Sequence, residues 1–159
     1  MPFQSSPATL SASAGRRFLA VTILACLGAT LIYLPMRNPT SALWTLLLIA
    51  VGAGSLFMAD RLRRATAVRL ILTETDLREE NGRILTTLDQ VEKVERGSFA
   101  MKPANGFSLV LRDPAPRAWA PGLWWRSGRR LGVGGVVSAP PARLIAEQIA
   151  SYLENRPRP

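Results

Sequence analysis

The spacing of hydrophobic positions along this chain changes twice. From 18 to 36 it is continuous, 19 residues without a charged side chain, which at the helical rise cover roughly 28 Å, about one hydrocarbon core. From 42 to 59 a second uncharged run of 18 residues reaches roughly 27 Å by the same rise. Arg37-Asn38-Pro39-Thr40-Ser41 between them is long enough only for a tight turn, so 16–64 reads as a transmembrane helical hairpin. Arg16 and Arg17 precede it and Arg61, Arg63 and Arg64 follow, against Arg37 alone in the turn. That bias places both termini in the cytoplasm. Tyr33 and Trp44, near the turn ends of their helices, fit an interfacial aromatic belt. Small residues recur four apart at Ala25 and Ala29 and at Ala50 and Gly54, a spacing that lets helix backbones approach closely. The plain reading is that these faces pack the two helices against each other within one chain, rather than forming a dimerisation face.

Beyond 67 the period shortens to extended runs at 68–72, 83–88, 91–95 and 107–111, with turns at Asn81-Gly82 and Asn105-Gly106. Further strands are expected over 117–123 and 129–136, loosened by Gly132, Gly134 and Gly135. From 141 to 155 the period becomes helical. Ala142, Ile145, Ala146, Ile149, Tyr152 and Leu153 form an apolar stripe opposite Arg143, Glu147 and Glu154, with Pro141 in the first turn and Pro157 as the stop. Six or seven short strands and one amphipathic helix describe an antiparallel, partly open barrel whose open end the helix plugs.

Three segments follow: a flexible cytoplasmic tail over 1–15, rich in Ser, Ala and Pro, the hairpin over 16–64, and a cytoplasmic domain over 65–156. Gly-Arg-Arg before an apolar run raises a secretory signal, and Ile-Leu-Ala-Cys at 23–26 a lipoprotein box. Unbroken membrane sequence from 27 to 34 and a second span argue against both, and leave Cys26 a buried thiol in a helix. All 11 acidic residues and 17 of the 20 basic ones lie at or after Asp60, giving that part a net charge of +6. A basic domain beside arginine-flanked spans suits an anionic leaflet better than nucleic acid. With no histidine and one cysteine, disulfide scaffolds, Cys or His zinc clusters and histidine catalysis are excluded within one chain.

Leu72-Thr73-Glu74-Thr75-Asp76-Leu77, then Leu88-Asp89-Gln90-Val91-Glu92-Lys93-Val94, then Gly132-Val133-Gly134-Gly135 leading to Ala142-Arg143-Leu144-Ile145, resemble the bacterial PH-like domains found beside short transmembrane hairpins. The likeness covers about 85 residues. It implies a membrane α+β protein of the bacterial inner (plasma) membrane, a two-helix hairpin followed by a PH-like antiparallel barrel or sandwich capped by a C-terminal helix. It further implies a scaffold for protein or membrane contact with no catalytic residues to carry over.

Carboxylates at Glu74, Asp76, Glu79, Glu80, Asp89, Glu92 and Glu95 interleave with Arg78 and Arg83, and read as solvated strand edges and turns rather than a metal or acid–base site. An acidic first hairpin argues against a phosphoinositide pocket. Gly132, Gly134 and Gly135 lack the lysine of a phosphate loop. The least ordinary stretch mixes Arg117, Trp119, Trp124, Trp125, Arg126, Arg129 and Arg130, residue types favoured both at lipid headgroups and at protein hot spots. It is either a contact surface, or a place where Trp124 or Trp125 fills the core beneath solvated arginines. The expectation is a non-enzymatic module without cofactor, metal or small-molecule substrate, its partners membrane lipids and a protein in the membrane or at its cytoplasmic face. The alternative is an accessory subunit that meets a larger complex through the hairpin.

Overall fold

The computed structural model describes residues 8–38, 41–95 and 104–156. It divides into two compact units, Ala14–Arg64 and the combination of Met1–Ser13 with Ala65–Pro159. The expectations for 1–7, for Pro39 and Thr40 of the turn and for the stop at Pro157 lie outside the described residues.

The helical unit holds α1 (Ala14–Arg37) and α2 (Ala42–Ala65), each of 24 residues and so about 36 Å long. Both are long and apolar enough to cross a membrane. Phe18, Leu19, Ile23, Leu43, Leu46 and Phe57 point outward and stay exposed. Cys26 likewise lies on the outside of the unit rather than buried within it. The close approach of the helices falls at Gly28 and Gly52: a Cβ on either would lie 2.8–2.9 Å from the other's backbone oxygen. Leu31 and Ile32 of α1 and Leu56 of α2 close around that point. This departs from the expected packing set. Ala29 and Ala50 are exposed, Ala25 is half-buried, and a Cβ on Gly54 would meet nothing within 4 Å. Four-residue spacing marks small residues in general, but only a residue without a Cβ permits this backbone separation. Gly28 and Gly52 have the large side chains of Leu24, Ile32, Leu48 and Leu56 four positions away, so neither belongs to a small-residue pair.

The other unit is built from β1 (Ala8–Leu10), β2 (Leu70–Leu72), β3 (Asp76–Glu79), β4 (Ile84–Thr87), β5 (Val91–Glu95), β6 (Phe107–Ala120), β7 (Trp124–Val133) and α3 (Ala139–Asn155). Two antiparallel sheets result, in the orders β1-β2-β3-β4 and β5-β6-β7. They do not close into one barrel, although an isolated bridge joins Ala12 to Val137. Ala8–Leu10, expected within a flexible tail, is instead the edge strand of the first sheet, with Leu10 opposite Leu70. Leu10 is fully buried. The reason is burial: its isobutyl group completes the same apolar cluster as Leu70, Ile145 and Ile149. The helical pair is thus an insertion in the connection between two neighbouring strands.

The Asn81-Gly82 turn sits between β3 and β4 as expected, with Gly82 at φ 91°. Asn105 at φ 58° precedes Gly106, whose missing side chain leaves the carbonyl oxygen of Val133 in the space a Cβ would take. The two expected strands over 107–111 and 117–123 are one 14-residue strand, β6. Its pairing with β7 shifts between Val110 and Ala115 and again between Ala115 and Ala118. Pro114 and Pro116 occupy those gaps; proline has no N–H to give a ladder, so the strand bends there instead of ending. Helix α3 follows its expected stripe, burying Ala142, Ile145, Ala146 and Ile149 against the apolar residues of β1, β5 and β6.

Candidate functional site

The tryptophan–arginine stretch forms the far half of the β6–β7 ribbon. Facing residues of an antiparallel pair share one side of the sheet and successive residues alternate. Trp119 stands opposite Trp125, and Ala120 opposite Trp124. The ribbon therefore carries Trp119 and Trp125 on one face and Trp124 on the other.

Trp124 belongs to the core, at 2% exposure. Its indole N–H donates to Oε1 of the buried Glu79 at 2.7 Å, and the other carboxylate oxygen accepts from the Asn81 amide at 2.9 Å. The guanidinium of Arg83 lies 4.9 Å from the centre of the Trp124 ring, within cation–π reach. The Asn81-Gly82 turn is thus a clamp over this tryptophan. Asp76 is buried as well, accepting from the Thr73 hydroxyl at 3.0 Å and paired with Arg78 at 3.4 Å. Both carboxylates differ from the solvated reading of the acidic stretch. Each accepts from a side chain of an adjacent turn, Thr73 for Asp76 and Asn81 for Glu79, and Glu79 also from Trp124 of β7, partners that charge spacing along the chain does not reveal.

The arginines separate into two kinds. Arg126 donates to the carbonyl of Pro116 at 3.0 Å and to that of Leu85 at 2.6 Å, tying β4 to the ribbon. Arg129 donates to the Leu111 carbonyl at 2.8 Å and pairs with Glu92, and Arg130 lies 3.7 Å from Glu95. These three brace the fold, and two of them spend their charge on carboxylates. Arg117 is exposed and holds no ion pair among the described residues. Among the described residues Arg126 makes only the two carbonyl contacts, and no acid there pairs with its charge.

Trp125 lies half-buried with its indole over Gly132, where a Cβ would collide with Nε1. That accounts for a glycine the sequence left without a role. Trp119 remains 53% exposed. Together Arg117, Ala118, Trp119, Trp125, Arg126 and Ser127 line an open concavity of about 590 Å³. It has aromatic walls and a cationic rim, and no carboxylate lines it among the described residues. Of the seven residues picked from the sequence, the structure brings together Arg117, Trp119, Trp125 and Arg126, and places Trp124, Arg129 and Arg130 elsewhere.

The turn joining β6 to β7 folds back on the segment after β7. Gly134 donates to the Leu123 carbonyl at 2.9 Å and Val136 to that of Gly122 at 3.0 Å, while the Val136 carbonyl accepts from the Ser13 N–H at 2.8 Å. A second depression of about 450 Å³ lies beside α3, lined among others by Phe107, Ala142, Arg143 and Glu147. Among the described residues no three His, Cys, Asp or Glu side chains gather as a metal set. Comparison with protein-family models, with curated proteins and with solved structures finds no match for this chain.

Proposed function

We propose that this chain is a non-enzymatic, multi-pass protein of the bacterial inner membrane, whose PH-like sheet domain is a contact module held at the cytoplasmic surface by the helical hairpin. The observation that carries the reading is the place of the helices in the fold: they are inserted between β1 and β2, which pair directly through Leu10 and Leu70. One folded sheet cannot straddle a bilayer, so the start of α1 and the end of α2 share a side, as the flanking arginines require. The outward-facing apolar side chains of both helices support immersion in lipid, since a water-soluble pair would bury such a surface. A contact role rests on Trp119, half-exposed at the rim of the cationic concavity.

A second reading is favoured by the small residues Ala29, Ala50 and Gly54, which the hairpin does not use for its own packing. In it the chain is an accessory subunit that meets a larger complex through the hairpin. A photoreactive residue placed at 119 or at 54 in cells separates the two. Adducts from 119 support the contact module, and adducts from 54 alone overturn it in favour of the accessory subunit. Reporters fused at Met1 and at Pro159 are expected to lie both in the cytoplasm, and a C-terminus found outside refutes the topology.

A further inference from the structure

We infer that the concavity between Arg117, Trp119, Trp125 and Arg126 docks on anionic phospholipid headgroups of the leaflet in which the hairpin is anchored, an inference that rests on the membrane-anchored reading. Three observations meet here. The first is position. Gly122, in the turn of the β6–β7 ribbon, is two backbone hydrogen bonds from Ser13, through Val136. At strand spacing that is roughly 10 Å. Ser13 is joined covalently to Ala14, the first residue of α1. Within the sheet domain the ribbon turn therefore lies close to Ser13, the residue that continues covalently into α1, and Trp119 is three residues from Gly122.

The second observation is charge. Arg117 has no ion pair among the described residues, and Arg126 bonds only neutral carbonyls. Glu92 and Glu95 are engaged by Arg129 and Arg130. Asp113 is the single acid between Arg112 and Gly135 and does not line the concavity. Two uncancelled guanidiniums on one rim match the phosphates of an anionic leaflet, and each basic side chain near such a surface strengthens association about fivefold. The third is the aromatic wall. An indole held half out of the protein has an apolar body and a polar N–H, and the headgroup layer satisfies both at once. Trp125 is fixed in place by Gly132, so the cradle exists before any ligand arrives.

The test uses the full chain reconstituted in nanodiscs of phosphatidylcholine alone or of phosphatidylcholine with phosphatidylglycerol. The fluorescence of Trp119 is isolated as the difference between the wild type and Trp119→Phe, and its quenching by acrylamide is measured. Quenching is expected to drop in the anionic discs only. It should recover at about 1 M salt, where the Debye length is about 3 Å. Arg117→Gln, at an exposed position without an ion pair among the described residues, should weaken the shielding about fivefold without unfolding the domain. Equal quenching in both kinds of disc overturns the docking, whether Trp119 is open in both, leaving the face for a protein, or shielded in both. Cys26, the only cysteine and a residue of α1, separates this from a failure of anchoring. Labelling of Cys26 by a membrane-impermeant maleimide in intact discs overturns the anchoring and the docking with it. Protection of Cys26 together with equal quenching overturns the docking alone.

Discussion

Leu10→Ala examines the feature on which the architecture turns, the membership of the N-terminal segment in the sheet domain. Leu10 is fully buried, opposite the fully buried Leu70 and within the cluster that includes Ile145 and Ile149 of α3. Truncating a buried leucine removes its transfer free energy and leaves a cavity, about 3–5 kcal/mol in well-packed cores. Small domains are stable by about 5–15 kcal/mol, so the loss takes a large share. At roughly 4–8 °C per kcal/mol for a domain of this size, the melting transition falls by at least about 10 °C. Thr9, next in the same strand but exposed, supplies the control, since Thr9→Ala is expected within about 0.5 kcal/mol of wild type. Near-ultraviolet circular dichroism follows the transition in detergent-solubilised full-length protein, because the asymmetric surroundings of the buried Trp124 give the domain a signal lost on unfolding. Coincident melting curves for the two variants refute the pairing of β1 with β2 and restore the flexible tail.

Ile149→Ala removes a fully buried side chain from α3 and should cost about 2–5 kcal/mol; an unchanged thermal midpoint would show that the stripe packs on nothing. In Trp124→Phe the Glu79 carboxylate loses its indole donor, which should destabilise by about 1–3 kcal/mol beyond the change in packing, and a double-mutant cycle with Glu79→Gln should show the two residues coupled. Gly52→Val places atoms against the Gly28 carbonyl, which leaves no room even for a Cβ, so spin labels on the two helices should report a wider separation; an unchanged distance refutes the contact.

Features set by near neighbours in the chain are legible in the sequence. The two long apolar helices and α3 depend on runs and stripes of 15 to 25 positions, and the Asn81-Gly82 turn on two adjacent residues, so the pattern carries them. Features set by distant partners are not. Three residues, Ala8, Thr9 and Leu10, are too few to signal a strand, and their partners lie some 60 positions away, across both helices. Pro114 and Pro116 locally favour a break between two strands, whereas a long partner, β7, holds the chain extended through them. Alternation along β7 requires Trp124 and Trp125 to face opposite sides, but only the buried Glu79 carboxylate, an acceptor for the indole N–H, decides which one enters the core. The arginines are the sharpest case. The stretch offers four similar cations, Arg117, Arg126, Arg129 and Arg130, and whether each meets a carbonyl, a carboxylate or neither among the described residues is decided by strands elsewhere in the fold.

That same non-locality gives the hairpin a part in folding. Pairing β1 with β2 in an unstructured chain would close a loop of about 60 residues, and each doubling of loop length adds about 0.6 kcal/mol to the closure cost. Once α1 and α2 are formed and packed at Gly28 and Gly52, two helices of equal length run back to the level at which they began. The free chain left to close is then residues 11–13 and 66–69, shorter by about three doublings, which lowers the closure cost by about 2 kcal/mol. A three-residue edge strand is marginal without such help. Formation of the helix pair therefore favours completion of the first sheet, and a substitution at Gly52, far from β1 in sequence, is expected to weaken the Leu10 pairing through the longer loop it leaves to close.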